Sequence, residues 1–297
     1  MEKGKNLLFS GCATALITPF RDGEIDFPAF KRLVRRQLDA HIDALVIAGT
    51  TGEAPTLRRD EREVLFRAAV SEVAGEVPVI AGTGSNDTEH TLMFSRQAQG
   101  AGCDGVLAVV PYYNKGTEEG LYKHFARLAD SVNIPVLVYN VPSRTGGSIS
   151  KRTLKRLSEH PNIVGIKEAS GQVNRCADIL AECGKCLPLY SGNDDITVPL
   201  MSLGGKGVVS VISNLLPNKM KQMCDLARSE NFKEAAKLQL ELMPLINALF
   251  CEVNPVPVKW AACVMGLCTE EVRLPLTPAS EATKKQLLPL LEAQGLI

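Results

Sequence analysis

The sequence is poor in aromatic residues, with 5% Phe, Trp and Tyr and a single tryptophan. It has only four histidines, His41, His90, His124 and His160, too scattered for a metal motif such as HExxH. No excess of charge exists, because 33 basic residues balance 33 acidic ones. That balance argues against a nucleic-acid surface, which carries a basic excess. No apolar run approaches the roughly 18 residues of a membrane span. The amino-terminal MEKGKNLLFSG lacks the apolar core of a secretory leader, so a cytoplasmic protein is expected. Neither GxGxxG nor GxxxxGK[ST] occurs, which leaves nucleotide binding without a motif.

Cysteine is not scarce. Nine are present, an odd number, and read as reduced and mostly buried thiols. Cys183-Gly-Lys-Cys186 forms a CxxC. It could be a redox pair or half a zinc site, but no second CxxC accompanies it, and thiols in a helix-to-strand turn are the simpler reading. The histidines fall on or beside predicted helices and read as surface residues.

The 297 residues fit two ordinary domains or one α/β barrel with additions. Eight apolar, β-branched runs decide between these: CATALIT from Cys12, ALVIAG from Ala44, PVIAG from Pro78, GVLAVV from Gly105, PVLVYN from Pro135, IVGIKEA from Ile163, LPLYSG from Leu187 and GVVSVIS from Gly207. They are near-continuous rather than alternating, as strands covered on both faces are. Amphipathic stretches separate them, including 26–40, 58–73, 117–132, 150–159, 173–183, 195–203 and 218–228. Asp87, Thr117, Ser150 and Asn218 are suited to cap helices, and Gly75, Gly102, Gly184 and Gly204 to end them. Eight βα units predict a closed (βα)8 barrel over residues 1–230. An open doubly wound sheet is the alternative, but it usually carries a Gly-rich turn after its first strand, where Thr18-Pro19-Phe20 stands here. Residues 231–297 break the alternation and predict a three-helix appendage over 231–249, 257–267 and 281–293.

In such a barrel the reactive groups stand at the carboxyl ends of the strands. Lys167 lies inside the sixth run, where both faces should be covered. Lysine is almost never fully buried without a reason, and a desolvated amine is nucleophilic near neutral pH. Schiff-base chemistry on a carbonyl substrate requires such an amine. The plainer alternatives are a pair with Glu168 or a lysine reaching out to solvent, but strand neighbours face opposite ways. Tyr139 and Tyr113 end neighbouring runs and are suited to proton transfer or, more simply, to the rim of the core. Gly49-Thr50-Thr51-Gly52 offers backbone N–H groups and two hydroxyls, a candidate nest for a carboxylate, although such turns are common. Arg144, in a Pro/Gly-flanked loop, could clamp a second carboxylate or simply be solvated.

Taken together, GTTGE at Gly49, PYYNK at Pro111, YNVPSRTG at Tyr139, GIKEASG at Gly165, YSGND at Tyr190 and NPVPVKWA at Asn254 resemble the dihydrodipicolinate synthase family. The wider group is the pyruvate-dependent class I aldolases, which includes N-acetylneuraminate lyase. The resemblance implies condensation of pyruvate with L-aspartate 4-semialdehyde to 4-hydroxy-tetrahydrodipicolinate, on the diaminopimelate route to lysine. Lys167 is implied as the Schiff-base residue, so that no external cofactor and no metal is needed. Tyr139, Thr50 and Tyr113 are implied as a proton relay, Tyr113 acting across a dimer interface of a homotetramer. Thr50 and Thr51 are implied to hold the pyruvate carboxylate, Arg144 that of the semialdehyde, and Gly192 and Val209 to line the site. The Thr-Thr pair and Arg144 favour the synthase over the lyases, which resemble Ser-Thr at the first motif and lack that arginine. Feedback-inhibited members resemble one another in two histidines and a glutamate at an effector site. Here Arg59, Arg62 and His90 stand at the matching positions, while Asn86 and Tyr112 agree. Two arginines repel a lysine ammonium, so weak or absent sensitivity to lysine is expected. Another pyruvate-dependent 2-keto-acid aldolase, such as N-acetylneuraminate lyase, and a catalytically silent binding barrel are the competing readings.

Overall fold

A strand that feeds a helix back to a parallel neighbour must be apolar on both faces, and each of the eight runs does become such a strand. The computed structural model describes residues 7–297. Its strands are β1 (Gly11–Ala15), β2 (Phe20–Arg21), β3 (Glu24–Ile25), β4 (Ala44–Ile47), β5 (Val79–Gly82), β6 (Gly105–Val109), β7 (Val136–Asn140), β8 (Ile163–Glu168), β9 (Leu189–Ser191) and β10 (Gly207–Ser210). All but β2 and β3 form one closed parallel barrel, sealed where Gly11 of β1 pairs with Gly207 of β10. Closure excludes the open sheet. The β2–β3 hairpin is an addition that two-residue strands leave no periodic trace of.

The helices are α1 (Phe27–Asp39), α2 (Arg59–Val73), α3 (Thr88–Gly100), α4 (Glu118–Ser131), α5 (Pro142–Thr145), α6 (Lys151–Ser158), α7 (Val173–Cys183), α8 (Thr197–Ser202), α9 (Pro217–Arg228), α10 (Phe232–Ala248), α11 (Val256–Val264) and α12 (Glu281–Ala293). Asp87, Thr117 and Ser150 cap α3, α4 and α6 through their side chains. Asn218 does not cap α9; the helix begins at Pro217, whose fixed φ and missing N–H suit a first turn. Gly184 ends α7 in right-handed geometry, whereas Gly75, Gly102 and Gly204 follow their helices with positive φ.

Side chains alternate between two apolar layers. Ala13, Val46, Ile80, Leu107, Leu137 and Val209 fill the barrel, closed at the amino end by Phe9 stacked on Tyr190 with ring centroids 4.3 Å apart. The Tyr190 hydroxyl donates to the Phe9 carbonyl at 2.7 Å, which satisfies a phenol buried at the base. Leu45, Ala81, Val106, Val138 and Ile166 point outward against the helices. Leu242, Leu245, Ile246, Val258, Leu287 and Leu291 of the last three helices join this same outer core.

Cys12, Cys103, Cys176, Cys183 and Cys224 are buried, all nine thiols are free, and Cys183 Sγ donates to the Ile179 carbonyl within its own helix. One histidine departs from the surface reading. His124 is buried on the inner side of α4, its Nδ1 3.0 Å from Thr88 Oγ1, and burial pushes its pKa down to about 4.

Candidate active site

Parallel registry places Tyr139 of β7 beside Lys167 of β8. Paired residues in register share a face, and both side chains enter the barrel near its carboxyl end. The ammonium of Lys167 lies 4.2 Å from the centre of the Tyr139 ring. Only 6% of Lys167 is exposed, so it does not reach out to solvent. Glu168, one residue on, faces the helices instead. It accepts from Asn140 Nδ2 at 2.9 and 3.1 Å, from the Ser170 N–H at 2.8 Å and from Arg175 Nε at 3.0 Å. The strand alternation therefore separates an amine with no ion pair among the described residues from a carboxylate fully paired on the other face.

A cavity of about 240 Å³ opens over the strand ends, lined by Gly49, Thr50, Arg62, Tyr112, Tyr139 and Arg144, with Gly82 and Gly84 among the wall residues. Lys167 lies beyond this lining, against the ring of Tyr139. Gly192, just past β9, leaves room for it: a Cβ there would stand 2.4 Å from Ala169 Cβ and 3.0 Å from Lys167 Cε. Val209 is buried in the barrel interior on β10. Thr50, Tyr139 and Arg144 thus meet at one cavity. Tyr113 does not join them. It is 88% exposed, with φ of 72°, a left-handed conformation unfavourable to a bulky residue.

The loop after β4 is held from the carboxyl-terminal helices. Thr51 is buried, and its Oγ1 accepts a hydrogen bond from Asn254 Nδ2 at 3.0 Å. The Asn254 carbonyl accepts from Arg144 Nη2 at 3.2 Å. Glu53, at φ of 54°, accepts from Lys259 Nζ at 2.6 Å and from the Arg273 N–H at 3.0 Å. Burial pushes the Lys259 pKa down, and the Glu53 carboxylate opposes that shift.

The candidate effector residues only partly converge. Arg62 lies over the Phe94 ring at 4.2 Å and donates to the carbonyls of Gly82 and Ala54. Burial pulls its pKa down to about 10, against an opposing Tyr112 phenol. His90 stacks on Phe94 at 6.3 Å from the exposed side. Arg59 is exposed at the start of α2, and the Asn86 carbonyl accepts from Asn114 Nδ2 at 2.8 Å. Sequence reasoning missed Asn254, Glu53 with Lys259, and the Asn140–Glu168–Arg175 group. The signal was present for Asn254 and Lys259 alone, as polar residues inside the apolar NPVPVKWA.

Residues 8–294 match the model of the Dihydrodipicolinate synthetase family. The chain is similar to a 4-hydroxy-tetrahydrodipicolinate synthase of Pelobacter propionicus, 46% identical over 290 residues that cover 98% of this chain and 100% of that one. Its fold is similar to the dihydrodipicolinate synthase of Thermotoga maritima, with a TM-score of 0.96, 43% identity, and 98% and 100% of the two chains covered. A monomeric dihydrodipicolinate synthase variant is equally alike, at a TM-score of 0.96, 43% identity and 98% coverage of each chain. A match over nearly the whole length, with relatives above 40% identity, makes this chain a member of the dihydrodipicolinate synthetase family.

Proposed function

We propose that the chain condenses pyruvate with L-aspartate 4-semialdehyde to give 4-hydroxy-tetrahydrodipicolinate. The observation that carries this reading is the in-register pair of Lys167 and Tyr139, an amine 4.2 Å from the centre of a phenol ring inside the barrel mouth. In this reading the Lys167 amine attacks C2 of pyruvate and water leaves, forming an imine. Loss of a proton from C3 gives an enamine, whose C3 attacks the aldehyde carbon of the semialdehyde. The semialdehyde amino group then attacks C2, closes the ring and expels the Lys167 amine. No external cofactor enters these steps.

Protons must move at each of them, and Tyr139 with Thr50 is suited to carry them because both line the cavity. Tyr113 completes the relay from a second copy. Its exposure and left-handed backbone favour a residue presented outward, and a homotetramer built from tight dimers is the assembly that uses it. Thr50 and Thr51 hold the pyruvate carboxylate, Arg144 at the cavity rim holds that of the semialdehyde, and Gly192 and Val209 shape the floor. The barrel over 1–230 carries the chemistry and the helices of 231–297 brace it. The setting is the cytoplasm.

Arg59, Arg62, Asn86, His90 and Tyr112 form a weak lysine site at most. A carboxylate that could balance a lysine ammonium is lacking among these five, and Arg62 is a buried cation. An assay that offers pyruvate with aspartate semialdehyde, and separately with N-acetylmannosamine, tests the acceptor. Turnover confined to the semialdehyde supports the synthase; turnover confined to the sugar supports the lyase instead.

A further inference from the structure

Asn254 lies in the connection between α10 and α11, far from the barrel strands in sequence, yet it touches the groups proposed above to hold both substrate carboxylates. Its amide Nδ2 donates to Thr51 Oγ1 at 3.0 Å, and its backbone carbonyl accepts from Arg144 Nη2 at 3.2 Å. The residue is only 6% exposed, and its Oδ1 is buried with no hydrogen-bond partner among the described residues. A buried amide oxygen left unpaired costs about 1–3 kcal/mol.

The direction of that bond matters. An amide NH2 can only donate, whereas a threonine hydroxyl has one hydrogen and two lone pairs. With a lone pair of Thr51 Oγ1 occupied by Asn254, the hydroxyl cannot spend its hydrogen on that neighbour. It remains available as a donor, the polarity a carboxylate needs.

We propose that Asn254 is a positioning residue for pyruvate: its amide keeps the Thr51 hydroxyl in the donor role, while its carbonyl independently steadies Arg144. This rests on the assignment of Thr51 to the pyruvate carboxylate. The side chain and the backbone act on different substrates, so a side-chain substitution separates them. Asn254→Asp is nearly isosteric but places an acceptor where the donor was, and the Thr51 hydrogen turns toward it and away from pyruvate.

The experiment measures KM for each substrate, kcat, and the pyruvate concentration that half-saturates borohydride trapping, in wild type, Asn254→Asp, Thr51→Val and the double variant. Asn254→Asp is expected to raise both pyruvate quantities about tenfold or more. KM for the semialdehyde should move less than about threefold, because the carbonyl that holds Arg144 is kept. In the Thr51→Val background the same substitution should add little, since the hydroxyl it acts through is gone. Asn254→Ala serves as the second variant should Asn254→Asp not fold. It frees the hydroxyl without redirecting it, and a smaller rise in pyruvate KM is expected, again lost beside Thr51→Val. An unchanged pyruvate KM, or an equal effect with and without the Thr51 hydroxyl, overturns the proposal. Failure of wild type to trap pyruvate at all counts against the function proposed above and is a separate outcome.

Discussion

Lys259 Nζ stands 2.6 Å from Glu53 Oε1, with both side chains sealed from solvent. The pair ties a carboxyl-terminal helix to the loop that carries Thr50 and Thr51. Removing one member strands the other charge in a low-dielectric interior, which typically costs about 3–5 kcal/mol. Lys259→Met and Glu53→Gln should therefore each lower stability by about that much in urea unfolding, far more than loss of the exposed Arg67–Glu63 pair, worth under about 1 kcal/mol. Equal, small effects from all three would show the buried pair to be dispensable.

His124 gives the protein a predictable acid sensitivity. Its folded pKa of about 4 lies below the ordinary value of 6.5. The unfolded chain therefore binds a proton more readily, and stability falls as pH drops from 6.5 toward 4. The full loss from this group is about 3 kcal/mol. Above pH 6.5 its contribution is constant. His124→Gln, which does not titrate, should flatten the unfolding free energy between pH 6.5 and 4.5. An unchanged slope in that variant would assign the acid sensitivity to other groups.

Gly192→Ala tests the space around the amine. The new Cβ would press on Ala169 Cβ at 2.4 Å and Lys167 Cε at 3.0 Å. Displacing a reacting group by about 1 Å can cost on the order of 100-fold in rate. A loss of that size in kcat/KM, with secondary structure retained by circular dichroism, is expected. Full activity would mean that Lys167 has more freedom than its packing indicates.

The barrel was legible because burial on both faces writes itself into continuous apolar runs, and helices into 3.6-residue periodicity. Lys167 was legible for the opposite reason, as a charge that broke such a run. Asn254 and Lys259 stood out only as polar residues in an apolar stretch, and Glu53 not at all, because their partners lie about 200 positions away in the chain and periodicity carries no long-range information. His124 misled through composition: histidine on an amphipathic helix is often exposed, and only the docking of α4 beside Thr88 turns this one inward.

Regulation by the end product offers a further check. Arg59 and Arg62 belong to the lysine site considered above, and the Arg62 guanidinium is buried there. A lysine ammonium approaching it meets like charge in a poorly screened cavity. Initial rates should stay unchanged through roughly 1 mM lysine, given coupling energies of the usual size. Strong inhibition below that concentration would contradict the electrostatic argument.

In the proposed reaction Lys167 is the amine that bonds to pyruvate. Incubation with pyruvate and borohydride, followed by proteolysis and peptide mass mapping, tests it most directly. A reduced pyruvyl adduct on Lys167 that is absent without pyruvate is the predicted result. No adduct, or an adduct on another lysine, would rule Lys167 out as the Schiff-base residue.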